Sequence, residues 1–281
     1  MKLTERLALT YIRTKFRLLS SVSHKKAAAQ ALDFFRTPRE RLTRQQLPKI
    51  FDEAEKLQFE LEGIAIHGYS WNRNASKKVL IIHGFESSIV NFDHYIPPLV
   101  SEGYEVLAFD APGHGLSGGE TITAPLFAKM IEIIHANYGP VKSFIAHSFG
   151  GLALSLALEN IQHDETTRAA IIAPATETKT AIDQFFDFVQ LNGEVRKEFD
   201  KLIIQLGGHP AEWYSIHRAI KNIKAKILWL HDEDDLQTPL RDALKVKNEN
   251  RPNVKFIITK GLGHSRIYRD PEIVQEIVNF L

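Results

Sequence analysis

The stretch Ala146-His147-Ser148-Phe149-Gly150-Gly151 lies between an apolar run at 141–145 and a helical run at 152–158. A buried strand that turns at once into a helix tolerates little beyond small residues on its flanks, because larger side chains would collide. Ala146, Gly150 and Gly151 meet that restriction. The chain is thereby committed to a strand–turn–helix unit here. Such a turn lifts the Ser148 hydroxyl clear of the strand, and the first amides of the new helix point at the same space. Ser148 is the first nucleophile candidate.

Residues 226–231 (Lys-Ile-Leu-Trp-Leu-His) read as a buried strand that runs into Asp232-Glu233-Asp234-Asp235-Leu236-Gln237-Thr238-Pro239. Thr238 followed by Pro239 is a helix-start signal, so the acids occupy a strand-to-helix loop at the same sheet edge as Ser148. A solvated loop or a weak calcium site is the plainer account of the acids, and no EF-hand spacing supports calcium. Residues 254–259 form another strand, followed by the loop Gly261-Leu262-Gly263-His264-Ser265. Asp270-Pro271 then opens a last helix, with Ile273, Val274, Ile277, Val278 and Leu281 at helical spacing. Lone loop histidines are more often surface residues. Here the chain order is Ser, Asp, His, that of a serine machine on an open α/β sheet. Serine needs a base to take its proton as it attacks, and His264 would serve. A carboxylate would hold the imidazole in the right tautomer.

Two further strand ends carry motifs. The strand at 79–82 runs into His83-Gly84-Phe85-Glu86, and the strand at 104–109 into Asp110-Ala111-Pro112-Gly113-His114-Gly115-Leu116-Ser117. With the Ser148 turn, the acidic loop and the Gly-Leu-Gly-His loop, the chain resembles the α/β-hydrolase superfamily over about residues 58–281. It is similar to bacterial members of unassigned substrate. The resemblance implies an α/β fold with a mainly parallel, doubly wound sheet. It implies an oxyanion hole from the amides of Phe85 and Phe149, and it makes Asp235, four residues before the proline, the acid. Asp232 stands where the family usually has glycine, and the adjacent Asp234 stays a rival for Asp235. Ala146 replaces the usual first glycine of the turn.

The implied activity is hydrolysis of a carboxylic ester or thioester, of small to medium and partly apolar character, through an acyl-serine, with no cofactor and no metal. Dehalogenase and epoxide-hydrolase chemistry would want aspartate in place of Ser148. Amide or carbon–carbon cleavage with the same triad stays open, as does a ligand-binding protein on the same scaffold.

Gly113-His114-Gly115-Leu116-Ser117-Gly118 matches a dinucleotide fingerprint, but the next helix starts only near Thr123-Ala124-Pro125 and no acid ends a strand some twenty residues on. His83, His114 and His147 read as buried, hydrogen-bonded histidines. The chain has no cysteine, so thiolate metal patterns cannot arise, and no H-E-x-x-H occurs.

The 281 residues are 44% hydrophobic and 25% charged, a globular composition, and a net charge of +1 gives no pull toward nucleic acid. The N-terminus is broken by Lys2, Glu5, Arg6, Arg13, Lys15 and Arg17, so no signal-peptide core is expected and the cytoplasm is the default compartment.

Four regions emerge: a helical N-terminal extension at 1–57, hydrolase core at 58–174, a helical lid at 175–223 and the rest of the core at 224–281. In the first, Leu9, Ile12, Phe16 and Leu19 recur at helical spacing, residues 47–57 give a short amphipathic piece, and none of it is expected to be needed for the chemistry. Its basic character allows a membrane-surface helix. Packing on its own domain, or on a second subunit, is the preferred reading. The lid carries Phe185, Phe186, Phe188, Phe199, Trp213 and Tyr214, expected to form its own core with a few facing the serine.

Overall fold

The computed structural model describes residues 3–39 and 47–281. It begins with helices α1 (Leu3–Val22) and α2 (His24–Arg36). Lys2, counted above among the basic residues, lies outside the described residues. Strands β1 (Glu55–Leu61), β2 (Ile64–Trp71) and β3 (Lys77–Ile82) follow, then α3 (Ile96–Ser101), β4 (Tyr104–Phe109), α4 (Ala124–Tyr138), β5 (Ser143–His147) and α5 (Phe149–Leu158). Next come β6 (Arg168–Ile172), α6 (Thr178–Val189), α7 (Gly193–Gly207) and the short α8 (Ile216–Ala219). The series ends with β7 (Lys226–Asp232), α9 (Leu240–Lys247), β8 (Val254–Thr259), α10 (Gly263–Arg266) and α11 (Pro271–Phe280). Among the described residues, no helix is long and apolar enough to cross a membrane.

The chain divides into two compact units, Pro38–Thr176 with Ile216–Leu281, and Met1–Thr37 with Glu177–Ser215. The first holds one eight-stranded sheet in the order β1-β2-β4-β3-β5-β6-β7-β8. β1–β2 and β2–β4 are antiparallel, and every other pair is parallel. Every residue of β4 and β5 is buried, which is why both read as mainly apolar runs despite Glu105, Ser143 and His147. β3 lies between β4 and β5, with Ile82 opposite Ala146. The connections out of β3 and β5 therefore depart in opposite directions, and the strand ends open a crevice at this switch point.

The edge strand β1 begins inside the segment 47–57 that is assigned above to the helical extension, because Glu55 and Lys56 carry no apolar signal and an edge strand buries only part of its residues. Residues 47–57 are accordingly no single helix but a 3₁₀ turn at Lys49–Glu53 followed by the start of β1. Phe51 is buried, with its ring edge-on to Tyr69 and Trp71 at 5.0 and 5.1 Å. A cut at residue 58 would remove this ring and three residues of β1, so the extension ends at Thr37 rather than at 57.

In the second unit the N-terminal helices and the inserted helices, read above as separate regions, share one core. Phe16 of α1 and Ala27, Ala28, Ala31 and Leu32 of α2 are buried with Ile182, Phe186 and Val189 of α6 and Val195 and Phe199 of α7. The alanines let helix axes approach closely, and neither set of stripes has enough local partners to bury itself. The insertion's rings mostly serve this core: Phe186 packs edge-on against Phe199 at 5.1 Å, and Phe35 meets Phe185 at 5.2 Å. Phe188 is 42% exposed instead.

Candidate active site

Ser148 occupies the single residue between β5 and α5, with φ 54° and ψ −121°. A non-glycine residue with this backbone is strained, and the surroundings must hold it there. They do so at close quarters: Ser148 N–H donates to Ile172 O at 3.0 Å, and Ser148 O accepts from Gly151 and Ala175 amides, each at 3.0 Å. A Cβ on Gly150 would lie 2.4 Å from His83 O, and one on Gly84 would lie 2.9 Å from Ser148 Cβ. Small residues are thus required on both sides of the approach between the β3 loop and the turn.

The imidazole of His264, at the start of α10, lies between serine and acid. Ser148 Oγ is 3.0 Å from His264 Nε2, and His264 Nδ1 is 2.8 Å from Asp235 Oδ2. Asp235 has a fully buried side chain and that of His264 is 9% exposed. The Asp235 carboxylate also accepts from the amides of Gln237 and Thr238 at 2.8 and 2.9 Å, and from Thr238 Oγ1 at 2.7 Å. Burial works against its charge, yet the bonds from His264 and Thr238 hold its pKa below the usual carboxylate value.

The neighbouring acids do something else. Asp232 Oδ2 accepts from Thr259 Oγ1 at 2.7 Å and from Leu262 N–H at 3.0 Å, and Asp234 Oδ2 accepts from Gly261 N–H at 3.1 Å. Both brace the loop that carries His264, and neither is hydrogen-bonded to its ring. Thr238 does not cap α9, which begins after Pro239; its hydroxyl is committed to Asp235 and to Ala173 O, 3.0 Å away. Sequence alone offered Thr238 only as a helix start and gave no sign of this bracing, since contacts to distant groups leave no local pattern.

Phe85 and Phe149 stand beside each other, rings edge-on at 6.1 Å. Phe149 N–H is the first amide of α5, where intrahelical partners are lacking. His83 is fully buried; its Nδ1–H donates to Gly84 O at 2.7 Å and its Nε2 accepts from Ala111 N–H at 3.0 Å. That pair of bonds fixes the neutral tautomer and orients the Gly84–Phe85 peptide. Because the peptide is planar and trans, Phe85 N–H points opposite to the bonded carbonyl. His147 Nε2–H donates to His264 O at 3.1 Å, and the two rings are 4.7 Å apart. His147 therefore holds the backbone of the residue whose side chain meets Ser148.

His114 is buried, with Nδ1 on Pro112 O at 2.9 Å. The glycines around it have a local purpose: a Cβ on Gly115 would fall 2.1 Å from the Asp110 carboxylate, whose oxygens accept from Ile89 and Leu116 amides at 3.1 and 3.0 Å. This turn wraps a buried carboxylate.

Several of these buried groups make stability depend on pH. Burial lowers the pKa of His83 from 6.5 to about 4 and that of His147 from 6.5 to about 3, and lowers that of His231 as well. Below pH 6.5 the unfolded chain therefore binds protons that the folded one refuses, and stability falls as pH drops. Each histidine contributes on the order of 1.4 kcal/mol per pH unit across its window. Burial raises Asp110 from 3.8 to about 6, so between those values it acts in the opposite direction and offsets one histidine. Urea unfolding at pH 7 and pH 5 is expected to show a net loss, smaller in His147→Gln. Equal stability at both pH values would contradict the buried neutral histidines.

A family model described as serine aminopeptidase, S33, matches residues 73–217, just over half of the chain. This chain belongs to that α/β-hydrolase family. The matched stretch contains Phe85, Ser148 and Phe149 and ends before Asp235 and His264. An esterase of Pyrococcus furiosus has a similar structure, with a TM-score of 0.64 and 22% identity over 88% of this chain and 97% of that one. A thioesterase domain from a curacin biosynthetic pathway aligns with a TM-score of 0.58 and 14% identity over 80% of this chain and 99% of that domain. A serine hydrolase-like protein of Dictyostelium discoideum is 26% identical over 120 residues, 40% of this chain. The alignments span 33% of the length of that protein and of the other curated relative matched. The α/β-hydrolase fold follows from these likenesses together with the sheet topology.

Proposed function

We propose that the chain hydrolyses a carboxylic ester or thioester through an acyl-serine intermediate. One observation carries the reading: two hydrogen bonds, 3.0 and 2.8 Å long, join Ser148 Oγ to His264 and His264 to Asp235. In the reaction, Ser148 Oγ attacks the acyl carbon while His264 Nε2 takes its proton. The amides of Phe85 and Phe149 stabilise the oxygen that becomes negative, donors of a kind whose loss costs about 3 to 4 kcal/mol of barrier. The alcohol or thiol leaves with the proton from His264. Water then attacks the acyl-serine, giving its proton to Nε2, and the acid departs as that proton returns to Ser148. Asp235 keeps Nδ1 protonated throughout and stabilises the imidazolium.

Ester chemistry is supported by the esterase likeness, and thioester chemistry by the thioesterase domain. The family description favours a second reading, cleavage of an amide at an aminoacyl group, with the same residues in the same roles.

A fluorophosphonate probe with peptide mapping is the direct test. Phosphonylation of Ser148, with fluoride displaced, is the expected result. An unlabelled protein, or label on another residue, would replace this reading by a binding protein on a hydrolase scaffold. Turnover of short-chain aryl esters and acyl thioesters against aminoacyl anilides then separates the two acyl-transfer readings.

A further inference from the structure

Packing accounts for only one face of α1. Phe16 is buried, and Ile12 and Leu19 pack against the core that α1 shares with α2, α6 and α7. On the opposite side Leu7 is 63% exposed, Tyr11 69%, Leu18 62% and Val22 80%. Their spacings of four, seven and four residues place all of them within an arc of about 60° on a helix of 3.6 residues per turn. The same geometry puts Lys15 along one border of this stripe, while Arg17 and Arg6 lie about 80° and 100° round the helix from Leu7 on the other side, beyond Thr10 and Thr14. Arg13 is engaged by Phe188 O at 2.8 Å. No aspartate or glutamate occurs between Arg6 and Leu32. Glu194 and Glu198 on α7 lie in reach of His24 and Lys25.

We infer that this face of α1 binds the surface of an anionic lipid bilayer. An apolar stripe flanked by long cationic side chains suits a plane that is negative at the headgroups and apolar just beneath. A second copy of the chain fits poorly, because stripe against stripe would bring Arg6, Lys15 and Arg17 of one subunit against the same cations of the other. With α1 lying in the interface, Leu7, Tyr11, Leu18 and Val22 leave water, and the three cations stay at headgroup level.

The test uses the full chain with vesicles of phosphatidylcholine containing about one third phosphatidylserine, and with pure phosphatidylcholine. Sedimentation with the anionic vesicles is expected, weaker with the neutral ones and weakened by salt. Each cation contributes about fivefold to such binding. Replacing Arg6, Lys15 and Arg17 together by glutamine should thus weaken it by roughly a hundredfold. These positions lie outside the proposed catalytic machinery, so turnover of a soluble aryl ester should not change. The chain has no cysteine, so a Leu18→Cys variant accepts one environment-sensitive fluorophore, whose emission should shift to the blue on the anionic vesicles. An unshifted label, or equal binding by the glutamine variant, would overturn the proposal. So would a dimer in sedimentation equilibrium that Leu7→Ser with Leu18→Ser converts to monomer, because the stripe would then belong to a subunit contact.

Discussion

Ser148→Ala is expected to lower kcat on a short-chain aryl ester by about 10⁶-fold, the size of effect seen when the nucleophile of such a triad is lost. The fold should survive. Alanine keeps the Cβ that the turn already tolerates at φ 54°, and the backbone bonds from Ile172 O, Gly151 and Ala175 do not involve the hydroxyl. The lost contact is one hydrogen bond to His264, about 1 kcal/mol at most in stability. A residual rate above that in water should remain from the Phe85 and Phe149 amides. Steady-state kinetics beside a urea unfolding curve reads both quantities. A loss below a hundredfold in a protein of normal stability would mean that another residue attacks.

The second large effect separates adjacent acids. Asp235→Asn should cost about 10⁴-fold in kcat, because an amide facing His264 Nδ1 favours the wrong tautomer. Asp234→Asn should cost less than tenfold, since that carboxylate meets only the Gly261 amide in the loop before the histidine. Both substitutions keep volume, so unfolding curves should distinguish a collapsed loop from a lost orienting charge. If the ranking came out reversed, Asp234 would be the orienting acid.

How much of this was readable from sequence depends on where the signal resides. Strands β3 to β7 are legible because buried parallel strands are short apolar runs between turns, and β8, a half-buried edge strand, keeps such a run in Phe256-Ile257-Ile258. The order Ser148, Asp235, His264 is legible because each follows such a run, and parallel strands deliver their ends to one edge. The roles proposed for Phe85 and Phe149 rest on backbone atoms, so only the neighbouring Gly84 and Gly150 leave a trace. The start of β1 fell into the helical extension because an edge strand buries only part of its residues, and Glu55 and Lys56 carry no apolar signal. The shared core of the N-terminal and inserted helices was hidden for another reason. Helical spacing reveals that Phe16 and Phe186 need cover, not that each provides it for the other over 170 residues of chain. The work of Asp232 and Thr238 was equally invisible, because Asp232 meets a hydroxyl and an amide of a distant loop and Thr238 a carboxylate and a distant carbonyl, contacts with no local pattern.

The bracing of the histidine loop by the acidic one bears on how this protein can diverge. Asp232, Asp234 and Asp235 each grip a different point between Thr259 and His264, so spacing along one connection is copied onto the other. A displacement of about 1 Å in such a site can cost a hundredfold in rate. Insertions or deletions between 232 and 238 would therefore silence the protein even with every reacting side chain retained, so homologues with intact chemistry should vary in length elsewhere.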